Sequence, residues 1–416
     1  MDHRTSLAAL PDALLLHIFA LLRGPLNSPL AHQRLAYLTM TCRRFRDLLQ
    51  APGPFWETLR LTIPRVDTPE RHHSFTGPLC SWLARRQHAI KRLELRVMGG
   101  PQAALVLSLL AQGLQHVELL DMPGTQDFPL VLEHLRNCRA LASLRLANLN
   151  RRPNLACCRD LQNLRSLQVT RTPVDVDMAR SCPHLTHLCL RMTQQAQLSG
   201  LTMLCDLEVT ALHINFTLFH LSHLTALTSL SLSGTLLFDL PESGALHTLK
   251  LCSGISPYEP SHCCLQSVRS LTLTNALIDF RPVLPHLQGL TSLSLEHCEN
   301  MEETDFKHVT NLTNLVRLYF FASSQDAGIS CLPTQLWPLA KLQTLSLRQQ
   351  NMVGAVDDAR PFNLHLTRVL QLPALEVLSV AFLKLNVIGT LGHLAQLSLL
   401  KSLKMSSGRF TMELDA

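Results

Sequence analysis

Leu290-Thr291-Ser292-Leu293-Ser294-Leu295-Glu296-His297-Cys298 places leucine at its first, fourth and sixth positions and a polar residue after each. Leu293 and Leu295 stand two residues apart, so in an extended chain both point to one side while Ser294 and Glu296 point to the other. The same arrangement returns at Leu315-Val316-Arg317-Leu318-Tyr319-Phe320 and at Leu342-Gln343-Thr344-Leu345-Ser346-Leu347. Outward in both directions, the pattern L-x-x-L-x-L, with Ile, Val, Phe or Met as occasional substitutes, recurs fourteen times. Its starts are Ile90, Leu114, Leu141, Leu164, Leu185, Leu204, Leu227, Leu246, Val268, Leu290, Leu315, Leu342, Leu375 and Leu400, spaced 19 to 33 residues apart. A short strand at each start cannot bury its own apolar face, so neighbours must stack into a solenoid. Thirteen steps of about 4.8 Å give an inner surface on the order of 60 Å long. Such a surface suits a protein rather than a metabolite.

The period and pattern resemble those of leucine-rich-repeat proteins over about four fifths of the chain. The resemblance implies an α/β solenoid, a horseshoe with a parallel concave sheet, over residues 90–416 with about 14 repeats. On the convex side, Thr304 to Leu312 and Asn363 to Leu370 are expected to be helical, Leu236 to Ala245 to be a loop, and Val353 to Pro361 to be an insertion. Residues 61–89 read as a connector and N-terminal cap. Pro64 to Pro78 holds Pro69, His72, His73 and Gly77, and Ser81 to Ala89 predicts a helix leading into the first strand.

Residues 6–60 follow a different rhythm. Pro11 suits a first helical position, where no N–H is needed. Leu14, Ile18 and Leu22 then recur every four residues, with Leu15 and Phe19 beside them. A second run sets Leu35, Leu38, Cys42, Phe45 and Leu49 three or four apart, and Trp56 follows the break at Pro52-Gly53-Pro54. About fifty residues cannot hide this much apolar surface alone, since small domains bury only about 60% of what they expose unfolded.

The order Leu10-Pro11, Leu14-Leu15, Ile18-Phe19, Leu22, Leu38, Cys42-Arg43-Arg44-Phe45 and Trp56 resembles an F-box. Ala13 departs from the acidic residue often found there, and the connection from Arg23 to Arg34 is longer than usual. The resemblance implies a substrate receptor of an SCF-type cullin ubiquitin ligase. In that reading Leu10, Pro11, Leu14, Leu15, Ile18, Phe19, Leu22, Leu38, Cys42, Phe45 and Trp56 bind a Skp-type adaptor, and through it the cullin. The chain would be a monomer within a hetero-complex, non-catalytic itself, holding a protein target near the charged conjugating enzyme. Two alternatives stand beside it: a helical cap on the solenoid, and a leucine-rich-repeat scaffold with no link to ubiquitination.

Composition narrows the partners. Ala13 to Leu22 is apolar but too short for a bilayer, which takes about twenty residues, and it lacks the features of a signal peptide. A cytoplasmic or nuclear protein is expected, with no membrane partner. Thirteen Cys, an odd number without any C-x-x-C pair, fit reduced thiols packing as small hydrophobes. No metal or cofactor is indicated. Residues 1–200 carry 24 Lys and Arg against 14 acids, and residues 201–416 carry 13 against 17. The basic half is read as solvated surface, because aromatic residues make up only 5% and no stacking platform alternates with the basic positions. No nucleic-acid partner is expected. Phosphate-loop, G-x-S-x-G and H-E-x-x-H motifs are all missing.

The inner face offers candidate target contacts. Arg145, Arg191, Lys250, Glu296, Tyr319, Phe321 and Arg348 fall at outward positions of their strands. Tyr319 and Phe321 on one strand, flanked by Glu296 and Arg348 on the next, make the best anchor, because aromatic and Arg residues dominate binding hot spots.

Overall fold

Each of the fourteen starts stands two residues ahead of a strand. A computed structural model describes residues 57–63, 83–84, 87–97, 100–120, 128–147, 155–170, 182–192, 198, 200–211, 218–234, 237–240, 244–252, 256–257, 265–275, 284–297, 306–322, 336, 339–349, 362–382, 384–389, 392, 396–407 and 410–415. The chain divides into two compact units, Met1–Met192 and Thr193–Ala416.

In the first unit, strands β1 (Thr58–Ile63), β2 (Arg92–Val97), β3 (His116–Leu120), β4 (Ser143–Ala147), β5 (Ser166–Thr170) and β6 (His187–Met192) pair in chain order, all parallel. Their register aligns Leu59, Leu93, Val117, Leu144, Leu167 and Leu188 in one buried ladder. Leu61, Leu95, Leu119, Leu146, Val169 and Leu190 form a second. The sheet therefore begins about thirty residues before Ile90, and Leu61 to Ile63 belong to a strand rather than to a connector. Leu59 and Leu61 alternate like the others, but without a leucine three residues ahead of Leu59 the six-residue pattern misses them.

The second unit holds β7 (Asp206–Ala211), β8 (Leu218–Phe219), β9 (Ser229–Ser233), β10 (Leu237–Phe238), β11 (Thr248–Cys252), β12 (Ser256–Pro257), β13 (Ser270–Thr274), β14 (Ser292–Glu296), β15 (Arg317–Ala322), β16 (Thr344–Gln349), β17 (Phe362–His365), β18 (Val377–Ala381), β19 (Leu385–Ile388), β20 (Ser402–Ser407) and β21 (Phe410–Asp415). The main order is β7-β9-β11-β13-β14-β15-β16-β18-β20-β21. All neighbours in it are parallel except β20 and β21, so the sheet is not uniformly parallel: its last strand folds back as an antiparallel hairpin. A single-step return is available only to an antiparallel neighbour, because a parallel one needs a crossover.

A one-turn entry precedes most strands. The leucine at the start of the pattern donates its N–H to the carbonyl three residues back, as in Leu164 to Leu161 (3.0 Å), Leu290 to Leu287 (2.9 Å) and Leu315 to Leu312 (2.9 Å). Both ends of this turn are buried in these three repeats, so the working unit there is L-x-x-L-x-x-L-x-L. Cys138 and Cys182 occupy the first of these positions and are buried there. Burial pushes the Cys138 thiol up to about 12, so it packs as a small neutral group.

Among the described residues, helix is scarcer between the strands than an α/β solenoid implies. The described helices of eight or more residues are Gly100–Leu110 and Phe128–Leu135, both in the first unit. Between Leu204 and Val268 the starts are only 19 to 23 residues apart, and the short connections build a small parallel sheet of β8, β10 and β12 instead. Phe306–Val309 is helical as expected. Asn363 to Leu370 divides: β17 pairs with β19, and only Leu366–Val369 is helical. Phe362 is the cause, since it is buried and its ring stacks on Phe382 with centroids 4.0 Å apart. The segments Pro64 to Pro78 and Val353 to Pro361 lie outside the described residues, as do residues 6–56, so the all-α part falls there too.

Strand exits set one glycine apart. Gly234, Asn275 and His297 follow β9, β13 and β14 with φ of 114°, 50° and 52°. Each donates its N–H to the next strand, at Cys252 O (3.0 Å), Glu296 O (2.8 Å) and Phe321 O (2.7 Å). A Cβ on Gly234 would lie 2.4 Å from the backbone oxygen of Ala211. Gly234→Ala is expected to cost at least about 2 kcal/mol, left-handed strain plus the clash. Asn275→Gly should stay within about 1 kcal/mol, and urea titrations giving equal costs for the two would refute the argument.

Candidate functional site

Outward positions of the strands build the candidate surface, and the two units differ in what they place there. In the first unit Arg60, Glu94, Glu118 and Arg145 stand in register on neighbouring strands. They pair as Arg60 with Glu94 (2.6 Å) and Arg145 with Glu118 (3.1 Å). Arg145 is thus held by a neighbour, and among the described residues no acceptor reaches its Nε or that of Arg191. His116, also on this face, has its pKa lowered by burial first and then by Arg92, so it is a neutral neighbour at pH 7.

In the second unit the face is rich in short hydroxyl side chains. Ser231, Lys250, Thr272, Ser294, Tyr319 and Ser346 follow one another across the sheet. Lys250 is exposed between Ser231 and Thr272, two strands away from Tyr319's neighbour Ser294. Tyr319 and Phe321 come from β15, where Leu318 and Phe320 face the core and the alternate residues face out. Tyr319 is 37% exposed, because the Ser294 and Ser346 on either side are too short to cover it.

A depression of about 610 Å³ opens there, lined by Thr272, Ser292, Ser294, Tyr319, Ser346 and the rim formed by Glu296, His297, Phe321 and Arg348. In register, Phe321 lies between Glu296 on one side and Arg348 on the other. The Glu296 carboxylate accepts hydrogen bonds from Ser294 Oγ (3.0 Å) and Thr274 Oγ1 (3.2 Å), which fix its position. The His297 ring meets Phe321 edge to face at 4.8 Å. Pattern reading missed His297, because the left-handed exit that turns it toward Phe321 is a backbone feature, not a residue type. The structure therefore brings together Glu296, Tyr319, Phe321 and Arg348, and leaves Arg145, Arg191 and Lys250 outside this depression. Leu10, Pro11, Leu14, Leu15, Ile18, Phe19, Leu22, Leu38, Cys42, Phe45 and Trp56 lie outside the described residues.

Among solved structures, the chain is similar to a leucine-rich-repeat protein of Leptospira interrogans, with a TM-score of 0.50 and 18% identity, covering 78% of this chain and 86% of that one. The chain has the leucine-rich-repeat fold. It is also similar to TLR13 in a complex with the single-stranded RNA ssRNA13, with a TM-score of 0.52 and 18% identity, covering 83% of this chain and 57% of that one. No protein-family description matches the sequence. No curated protein sequence matches it either. At these identities the leucine-rich-repeat likeness concerns the fold.

Proposed function

We propose that this leucine-rich-repeat protein is a protein-interaction scaffold that captures a polypeptide on the outward face of its second unit. The observation that carries the reading is the cluster of Tyr319, Phe321, Glu296 and Arg348 around one open depression, on strands anchored by buried ladders. Such a combination has the composition of a binding hot spot: aromatic and Arg side chains with a rigid backing. In this reading the depression binds and has no catalytic role. Tyr319→Ala with Phe321→Ala should weaken capture of at least one protein tenfold or more, about 1.4 kcal/mol. Lys401→Ala, at the exposed ion pair with Glu376, should change nothing. Equal protein profiles from both variants would overturn the reading.

A finer reading is favoured by the residue order from Leu10 to Trp56, which resembles an F-box. In it the segment that precedes β1 holds a Skp-type adaptor of a cullin ligase, in the cytoplasm or nucleus, and the repeats present a protein substrate for ubiquitination. Effective concentration would be the chain's whole contribution to the transfer. Purification of the full chain should recover the adaptor in a one-to-one complex. Its absence leaves the scaffold reading alone.

A further inference from the structure

Glu296, Phe321 and Arg348 sit at one level on three adjacent strands, β14, β15 and β16. An acidic group, an aromatic ring and a basic group thus follow one another across the sheet. Two steps of about 4.8 Å separate the outer pair by about 9.6 Å. An occupant that meets all three must run across the strands and offer the complementary order: basic, apolar, acidic.

Secondary structure decides which occupant can do this. Along an extended segment, side chains on one face recur at about 6.7 Å and then at about 13 Å, and neither distance matches the outer pair. Along a helix, positions i and i+7 are about 10.5 Å apart on one face, and i+3 or i+4 lies about 4.5 to 6 Å along. These values fit the outer pair and the central ring. We infer that the depression receives an amphipathic helix of a partner protein, with a basic residue at Glu296, an apolar residue one turn on at Phe321 and Tyr319, and an acidic residue a further turn on at Arg348. The inference rests on the protein-binding reading and names the chemistry of the partner.

The surroundings agree with it. Glu296 is positioned by the hydroxyls of Ser294 and Thr274, and it lines the depression. Arg348 is exposed, and the residue in register with it on β18 is the small Ala381, which leaves its guanidinium open to a bidentate carboxylate. Ser292, Ser294 and Ser346 keep the floor low enough for a side chain to lie beside the Tyr319 ring.

Three stapled, fluorescein-labelled helical peptides test this on the full chain by anisotropy. All share an apolar residue at i+3; they carry Lys at i and Glu at i+7, Glu at both, or Lys at both. Wild type should prefer the Lys/Glu peptide by at least about threefold. Glu296→Lys should transfer the preference to the Glu/Glu peptide, and Arg348→Glu to the Lys/Lys peptide. Misfolding cannot produce such exchanges. An unchanged rank order, or no binding of any peptide at about 1 mM, overturns the inference. If that happens while Tyr319→Ala with Phe321→Ala still loses a captured protein, the scaffold reading stands and the helix is wrong; if the aromatic variant loses nothing, both fall.

Discussion

Leu293→Ala is expected to lower the unfolding free energy by about 2 to 5 kcal/mol. Leu293 has no exposed surface and lies in register between Leu271 and Leu318, both also buried. Leu290 and Leu295 complete its own repeat and are buried as well. Truncation leaves a hole that hydrogen-bonded strands on both sides keep open, so the lost transfer energy adds to a cavity cost. Because each repeat touches only its neighbours, the damage should be local first. Amide exchange should quicken in β13, β14 and β15 before it quickens elsewhere. Ser294→Ala, on the opposite face of the same strand, should cost no more than about 1.5 kcal/mol, the worth of its hydrogen bond to Glu296. A Leu293→Ala cost under about 1 kcal/mol in urea titration would mean that the ladders do not carry the core.

If the segment from Leu10 to Trp56 docks a Skp-type adaptor as proposed, Ile18→Asp combined with Phe19→Ala will abolish recovery of that adaptor while the repeats melt at an unchanged temperature. A large apolar side chain buried at an interface contributes about 1.5 to 3 kcal/mol, and association costs about 4 to 15 kcal/mol. Losing two such contacts from the five or six that the helical spacing supplies removes most of the surplus, and a carboxylate facing an apolar partner adds a desolvation penalty. The same experiment separates adaptor docking from a helical cap. If Ile18 and Phe19 seal against the chain's own repeats, the double substitution lowers the melting temperature instead. Retained adaptor binding with unchanged melting would refute both.

The leucine pattern and the outward residues were legible for a local reason. Period-two alternation needs only the pleat, so Leu293 and Leu295 announce which way Ser294 and Glu296 point without any knowledge of neighbours. The grouping of Tyr319, Phe321, Glu296 and Arg348 follows from the same rule once repeats are taken to stack in register. His297 did not follow, since its approach to Phe321 depends on a left-handed exit. Nor did the burial of Ser346 and Ser379, each only 7% exposed on a face where short polar residues normally meet water.

What the sequence determined by itself is where the fourteen strands of the repeat pattern lie and which of their side chains turn inward, because both follow from residue spacing within a few positions. Tertiary structure alone decided that Thr58–Ile63 opens the sheet of the first unit, that Phe410–Asp415 turns back along β20, and that serines surround Tyr319 closely enough to leave a depression. The reason is physical. Pairing and lateral packing join residues of different strands, whose energies depend on which neighbour is present, whereas alternation along a strand depends on the pleat alone.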